Sequence, residues 1–211
     1  MEEQVANSDN FVKFIWQGIC PPKVENFVWQ LLKERVMVRQ VIQRLYRSLV
    51  FNLECPLCNK EEESPSHLFL TCRWAWIIWS KCIGVWGVLS CSPKTIMEWA
   101  AGWTYLCPTP SSDRVWNMVF FVVVWMIWEF RNQKVFKEKE ADLMLAVDTI
   151  NFRIACWYKF HGFGSKELIT SILLNMPGLC KEAKRRILSI SEGLKFNVDG
   201  SSRGIQTQLG L

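Results

Sequence analysis

A chain of 211 residues, half of them hydrophobic, is long enough for one or two modest domains with real cores. Charged residues make up 21%, which excludes a disordered tail, and a net charge of +5 permits contact with nucleic acid without requiring it. No secretory signal opens the sequence, so the nine cysteines point to reduced thiols in an intracellular setting, nucleus or cytoplasm, and not to a secreted disulfide framework.

Residues 1 to 10 are polar and expected to fray. Phe11 to Ile19 suits a short strand or a helix, ending at Gly18 and the Pro21-Pro22 pair. From Lys23, the apolar positions Val24, Phe27, Val28, Leu31 and Leu32 recur at helical spacing. A break is expected near Val36 to Val38, followed by a second helical pattern on Val41, Ile42 and Leu45. Residues 23–50 carry Lys23, Lys33, Arg35, Arg39, Arg44 and Arg47 against Glu25 and Glu34. Residues 51–72 reverse the balance, with Lys60 against Glu54, Glu61, Glu62 and Glu63. The basic surface therefore precedes the acidic loop. Arg35 and Arg39 stand one turn apart if the helix is continuous there, as do Arg44 and Arg47. These four are the candidate nucleic-acid contacts, through phosphate; a solvated helix face is the alternative.

The stretch Cys55-Pro-Leu-Cys58-Asn-Lys-Glu-Glu-Glu-Ser-Pro-Ser-His67-Leu-Phe-Leu-Thr-Cys72 organises the chain. Three thiols and one imidazole in the pattern Cys-x2-Cys-x8-His-x4-Cys suit a closed, tetrahedral, structural zinc site. A tight knuckle lets Cys55 and Cys58 converge, and Pro56 stiffens it. Ser64 can cap a helix with Pro65 at its first position, which places His67 in the first turn. Five residues of ideal helix separate His67 from Cys72 by roughly 140°. The helix must therefore end or kink near Leu70 to Cys72 if both bind one ion, with Phe69 and Leu70 packed beneath. The alternatives are four unrelated core residues, a disulfide framework, or a thioredoxin-like redox pair. The last lacks a recognisable strand before Cys55.

Arg73 to Ile83 should be a helix with Trp74, Ile77, Ile78 and Cys82 on one face, closed by Gly84. Most of the twelve tryptophans should be core. Cys82, Cys91, Cys107, Cys156 and Cys180 lack partner spacing and read as buried thiols. Residues 90–113, rich in Pro and Ser, read as a partly helical connector. Arg114 to Lys139 is a strong helical signal that Asp113 can cap. Its apolar run, Met118 to Trp128, is eleven residues, against about 20 needed to span a bilayer, so a buried helix is expected and no membrane contact. Arg131 and Asn132 near its end can pair with nearby groups or form a solvated terminus. Ala141 to Phe160 is a further amphipathic helix with Leu143, Val147, Ile150, Ile154 and Trp157 on one stripe. His161 before Gly162 reads as a loop histidine. Lys181 to Arg186 is a basic cluster, read as a solvated face.

The cysteine-histidine pattern, the entry segment from Trp16 through Pro21-Pro22 to Leu32, and the tryptophan-rich helix that follows resemble the zinc-binding domain behind plant LINE-type reverse transcriptases. The resemblance covers roughly residues 11–86, and Trp125 to Phe136 is similar to the segment that follows that domain. Leu194-Lys-Phe-Asn-Val-Asp199-Gly-Ser-Ser-Arg203-Gly204 resembles the opening strand of the ribonuclease H-like domain in the same elements. There, an aspartate at the position of Asp199 is the first metal-binding carboxylate. The chain then departs from the family with Ile205-Gln206-Thr207. A two-metal nuclease needs several carboxylates around ions about 4 Å apart, so Asp199 is a vestigial candidate and no nuclease activity is expected.

The resulting expectation is a mainly α protein: a small zinc-stapled helical domain plus a second helical segment, ending in an orphan β-strand. The boundaries are a frayed start at 1–10, the zinc-binding domain at 11–89, a connector at 90–113, a helical segment at 114–190, and a truncated ribonuclease H-like start at 191–211. One structural Zn2+ is expected on Cys55, Cys58, His67 and Cys72. RNA or DNA is the expected partner and no small-molecule substrate is expected. The module is not an enzyme on this reading. A protein-interaction or structural remnant without nucleic-acid affinity is the alternative, and a nuclease ranks last.

Overall fold

The computed structural model describes residues 12–48, 51–107 and 113–162. The Asp199 segment and the Lys181–Arg186 cluster lie outside the described residues, as does Cys180. The protein is mainly helical. Among the described residues the only β pairing is an isolated antiparallel bridge between Glu54 and Glu62.

A helical turn at 12–15 leads through Gly18, whose φ is +64°, to α1, Pro22–Leu32. Pro22 opens this helix where no backbone donor is required. Its buried face carries Val24, Phe27, Val28, Leu31 and Leu32, the apolar spacing predicted from sequence. The expected break follows, with Glu34 in the left-handed region, and α2 runs Arg39–Leu45. Arg35 and Arg39 therefore do not share one continuous helix. Arg35 lies in the break, with its guanidinium 5.6 Å from the Trp29 ring, and Arg39 opens α2.

After the cysteine loop come α3 (Arg73–Gly84), α4 (Ile96–Trp103), α5 (Asp113–Lys137) and α6 (Leu143–Phe160). Helix α3 buries Trp74, Ala75, Ile78, Trp79, Cys82 and Ile83. Trp79 is thus on the buried side and Ile77 is only half-buried, a stripe rotated from the predicted one. Gly84 remains helical, and the chain reverses at Gly87. Helix α4 is capped by Thr95, whose hydroxyl accepts from the Glu98 N–H, and it buries Trp99 and Trp103. Helix α6 is capped in the same way by Asp142, and Ala146, Ile150 and Ile154 face inward.

Helix α5 is the axis of the fold. It is buried on nearly every side from Val115 to Val124, because α1, α3, α6 and the turn before α3 surround it. A helix that is apolar all round is stable only when it is enclosed in this way. No helix among the described residues is long and apolar enough to cross a membrane. Its neighbours supply aromatics, and every tryptophan except Trp16 belongs to the core or packs against it. Trp103 and Trp116 stack with centroids 4.3 Å apart. Each indole N–H donates to the other residue's carbonyl, at 3.1 and 2.8 Å, so two large apolar groups are buried with no donor lost. One apolar cluster runs without interruption from Phe14 to Ile154.

One open reading closes here and one expectation changes. Arg131 is not at a solvated terminus: it is 4% exposed. Cys91 is exposed, and Cys107 and Cys156 are only half-buried, because the segments that carry them lie at the rim of the core. Cys82 is buried as predicted, and burial pushes its thiol up to about 12.

Candidate metal centre

The loop from Asn52 to Ser64 contains few apolar side chains, so backbone hydrogen bonds shape it. The Cys55 N–H donates to the Glu61 carbonyl at 2.7 Å, and the Glu63 N–H to the Leu53 carbonyl at 2.8 Å. These two bonds clamp the start of the knuckle to its return strand. Asn59 takes a φ of +51°, a conformation that Asn tolerates better than most residues, and its N–H donates back to the Cys55 carbonyl at 2.8 Å. The turn thereby brings Cys55 and Cys58 to one side.

Ser64 and Pro65 act as the sequence predicts. The Ser64 hydroxyl accepts from the His67 N–H at 3.0 Å, and helical geometry begins at Pro65. The 140° problem between His67 and Cys72 is then solved by a change of winding. His67–Thr71 is a π-helical turn, closed by the Cys72 N–H donating to the His67 carbonyl at 2.7 Å. A π turn links residues five apart, so His67 and Cys72 stand over one another. Cys72 itself leaves the helix, with ψ at 128°, and α3 restarts at Arg73. Leu68, Phe69 and Leu70 are fully buried beneath the site, and the Phe69 carbonyl accepts from the Trp79 indole at 2.8 Å.

These local devices bring all four predicted ligands together. The ligand atoms of Cys55, Cys58, His67 and Cys72 lie within 4.8 Å of one another. Cys55 Sγ is 3.9 Å from Cys72 Sγ, and Cys58 Sγ is 3.3 Å from His67 Nε2. Zn–S bonds of about 2.3 Å in tetrahedral geometry separate two sulfurs by about 3.8 Å, and a sulfur from an imidazole nitrogen by about 3.6 Å. The cage therefore has the dimensions of a zinc site. The four groups also share their protons unequally. The Cys72 hydrogen bond and burial push Cys55 up to about 12. Cys72 is held below its ordinary value by the Cys55 hydrogen bond, aided by the Trp74 and Ala75 N–H groups at the start of α3. Burial opposes a charged His67, but the Cys55 and Cys58 sulfurs outweigh it and push the imidazole up to about 9. Cys55, Cys58, His67 and Cys72 would hold a divalent cation with their sulfurs and imidazole deprotonated, the ion standing in for these shared protons.

Around the ligands sits a second layer. Glu61 Oε2 lies 3.2 Å from His67 Nδ1, off the line of a formal hydrogen bond but placed to hold the ring with Nε2 toward the sulfurs. Glu63 is fully buried and points the other way, into α5. Arg131 grips it in a bidentate pair, Nε to Oε1 at 2.7 Å and Nη2 to Oε2 at 2.9 Å. Oε2 also accepts from the Arg39 N–H at 2.8 Å, and the Glu63 carbonyl from the Gln40 N–H at 3.2 Å. The Arg131 guanidinium lies 5.0 Å from the Trp128 ring. Read as one acidic run, Glu61 to Glu63 concealed these roles. Alternation along an extended segment was the available signal, since residues two apart share a face.

The four candidate arginines divide. Arg35 lies against Trp29, and Arg39 Nη1 donates to the Glu54 carbonyl at 2.6 Å, so both have structural contacts. Arg44 and Arg47 are exposed and line a shallow depression with Gln40 and Gln43.

Residues 1–79 match the family model described as zinc-binding in reverse transcriptase, and all four ligands fall inside the matched stretch. No curated protein and no solved structure matches the chain. The matched family and the Cys3His cage together define a site for one structural zinc ion.

Proposed function

We propose that this chain is a non-catalytic, zinc-stapled module of a plant LINE-type retrotransposon polyprotein, and that it assists nucleic-acid handling by holding phosphates at the exposed end of α2. The segment containing Asp199 is, on this reading, the start of a ribonuclease H-like region with no catalytic role in this chain. Three thiolates and one imidazole occupy all four zinc positions, leaving none for a substrate or an attacking water. The metal's work is therefore architectural, and the function lies on the surface it holds.

One observation carries the nucleic-acid reading. Arg44 and Arg47 project beside Gln40 and Gln43 around a depression of about 380 Å³, and neither arginine forms an ion pair among the described residues. Exposed guanidinium groups with amides between them suit phosphate oxygens. The test is anisotropy titration of the zinc-loaded chain with labelled RNA and DNA between about 50 and 200 mM salt. The affinity should fall linearly on a log–log plot. Arg44→Glu with Arg47→Glu should weaken binding to all sequences and flatten the slope by about one per lost contact. Absence of binding at the lowest salt would overturn the reading.

A second reading, a protein-interaction module, is favoured by the outer face of α6. There Met144, Leu145, Phe152 and Phe160 are each more than half exposed.

A further inference from the structure

We propose that the groove between α2 and the C-terminal half of α5 is a base-stacking site for single-stranded nucleic acid, from which the strand's phosphates run onto Arg44 and Arg47. The inference rests on the nucleic-acid reading above and adds a position and a strand preference to it.

The groove has a volume of about 430 Å³, and its walls include Arg39, Ile42, Phe51, Trp128, Asn132 and Phe136. That size falls within the range of clefts that take small molecules. Trp128 is shared with the core, but the two phenyl rings of the groove differ from the core aromatics. Phe14, Phe27, Phe69, Phe120, Phe121 and Phe130 each pack against another ring. Phe51 and Phe136 do not among the described residues, and Phe136 is 75% exposed on the last turn of α5. A bare phenyl ring at the mouth of an apolar groove is a platform on which a base can lie.

The charges at the rim select the occupant. Arg131 is neutralised by Glu63, but Arg39 lines the groove and, among the described residues, has no carboxylate in an ion pair against it. Arg44 stands on the same helix and Arg47 two residues past its end, around the neighbouring depression. An apolar peptide or an acyl chain would leave these cations uncompensated. A single strand offers flat apolar bases and anionic phosphates at short intervals, and so satisfies both. Asn132 adds a polar edge: its Oδ1 accepts from Arg131 Nη1 at 3.1 Å, which orients the amide and leaves its Nδ2 hydrogens without a partner among the described residues. Those hydrogens can meet acceptors on a base edge. A duplex keeps its bases stacked inward and cannot enter.

The test uses the zinc-loaded full chain with single-stranded RNA, single-stranded DNA and duplex DNA of matched length. Phe136→Ala should weaken single-strand binding about tenfold, leave the duplex affinity and the salt slope unchanged, and be rescued by Phe136→Trp. An oligonucleotide carrying 4-thiouridine should photocrosslink to peptides containing Phe51 or Phe136. Single-strand affinity unmoved by Phe136→Ala, or crosslinks confined to other peptides, would overturn the stacking site. If those results came while Arg44→Glu with Arg47→Glu still abolished binding, the nucleic-acid reading would stand and the groove would serve another occupant. Loss of all salt-dependent binding in the unmodified chain would remove both.

Discussion

The cysteine loop and the helical body around α5 are held together by opposite means. Between Asn52 and Ser64 only Cys55, Pro56, Leu57 and Glu63 are buried. Ordering each residue costs about 1–2 kcal/mol of backbone entropy, and so few apolar groups cannot offset that over the whole loop. Its shape comes from directional bonds: four metal ligands, the Glu54–Glu62 bridge and the Asn59 turn. The helical body instead buries Trp79, Trp86, Trp103, Trp116, Phe120 and Phe121 almost completely, and contact area does most of the work. Side-chain contacts tie the two regions together. Phe69 lies against Phe27 and Trp128, and Glu63 is locked to Arg131. A small region without a core of its own can thus be exact in shape, but only as long as a few specific bonds survive, whereas the body loses stability in increments.

That contrast can be broken most severely by removing the metal. Structural zinc contributes about 10–16 kcal/mol of apparent binding energy in small domains. Chelation, or Cys72→Ser, should abolish stoichiometric zinc and open the loop to proteolysis within residues 59–66 before any cleavage in α5. Mass spectrometry of the first fragments checks the order; simultaneous cleavage of both regions would mean that the body depends on the ion as much as the loop does.

The junction comes next. Glu63→Gln leaves Arg131 buried without its counter-charge, which should cost about 3–5 kcal/mol in denaturant unfolding. Glu63→Leu with Arg131→Met should cost distinctly less than Glu63→Gln, because no charge is stranded. Equal losses would show that the pair acts through charge-independent packing. Within the body, Trp103→Phe keeps most of the ring stack but removes the indole donor to the Trp116 carbonyl. About 1–3 kcal/mol should be lost, with zinc content unchanged. Thr95→Ala at the start of α4 is the mildest, about 1 kcal/mol, and should leave the loop's protease resistance untouched.

Legibility followed the range of each interaction. The four ligands were readable because their spacing lies within eighteen residues, and the Ser64-Pro65 start was readable because a cap is a local device. The α5 burial was readable from its unbroken apolar run. The rotated stripe of α3 was not, since which side of a helix rich in tryptophan faces inward depends on where α4 and α5 stand. The fate of Arg35 and Arg39 was hidden by a break whose geometry rests on Glu34 at a positive φ, an unusual state for that residue type.

The amino-acid order by itself determined the chemistry: which side chains bind the metal, where helices begin, and which segments are apolar enough to be enclosed. Tertiary structure alone decided the π winding that swings Cys72 over His67, and the partnership of Glu63 with an arginine 68 positions away. Spacing and capping act within a few residues and leave a mark in any short window. A long-range pair has no such mark, because either charge would be equally content in water until packing removes the water from both.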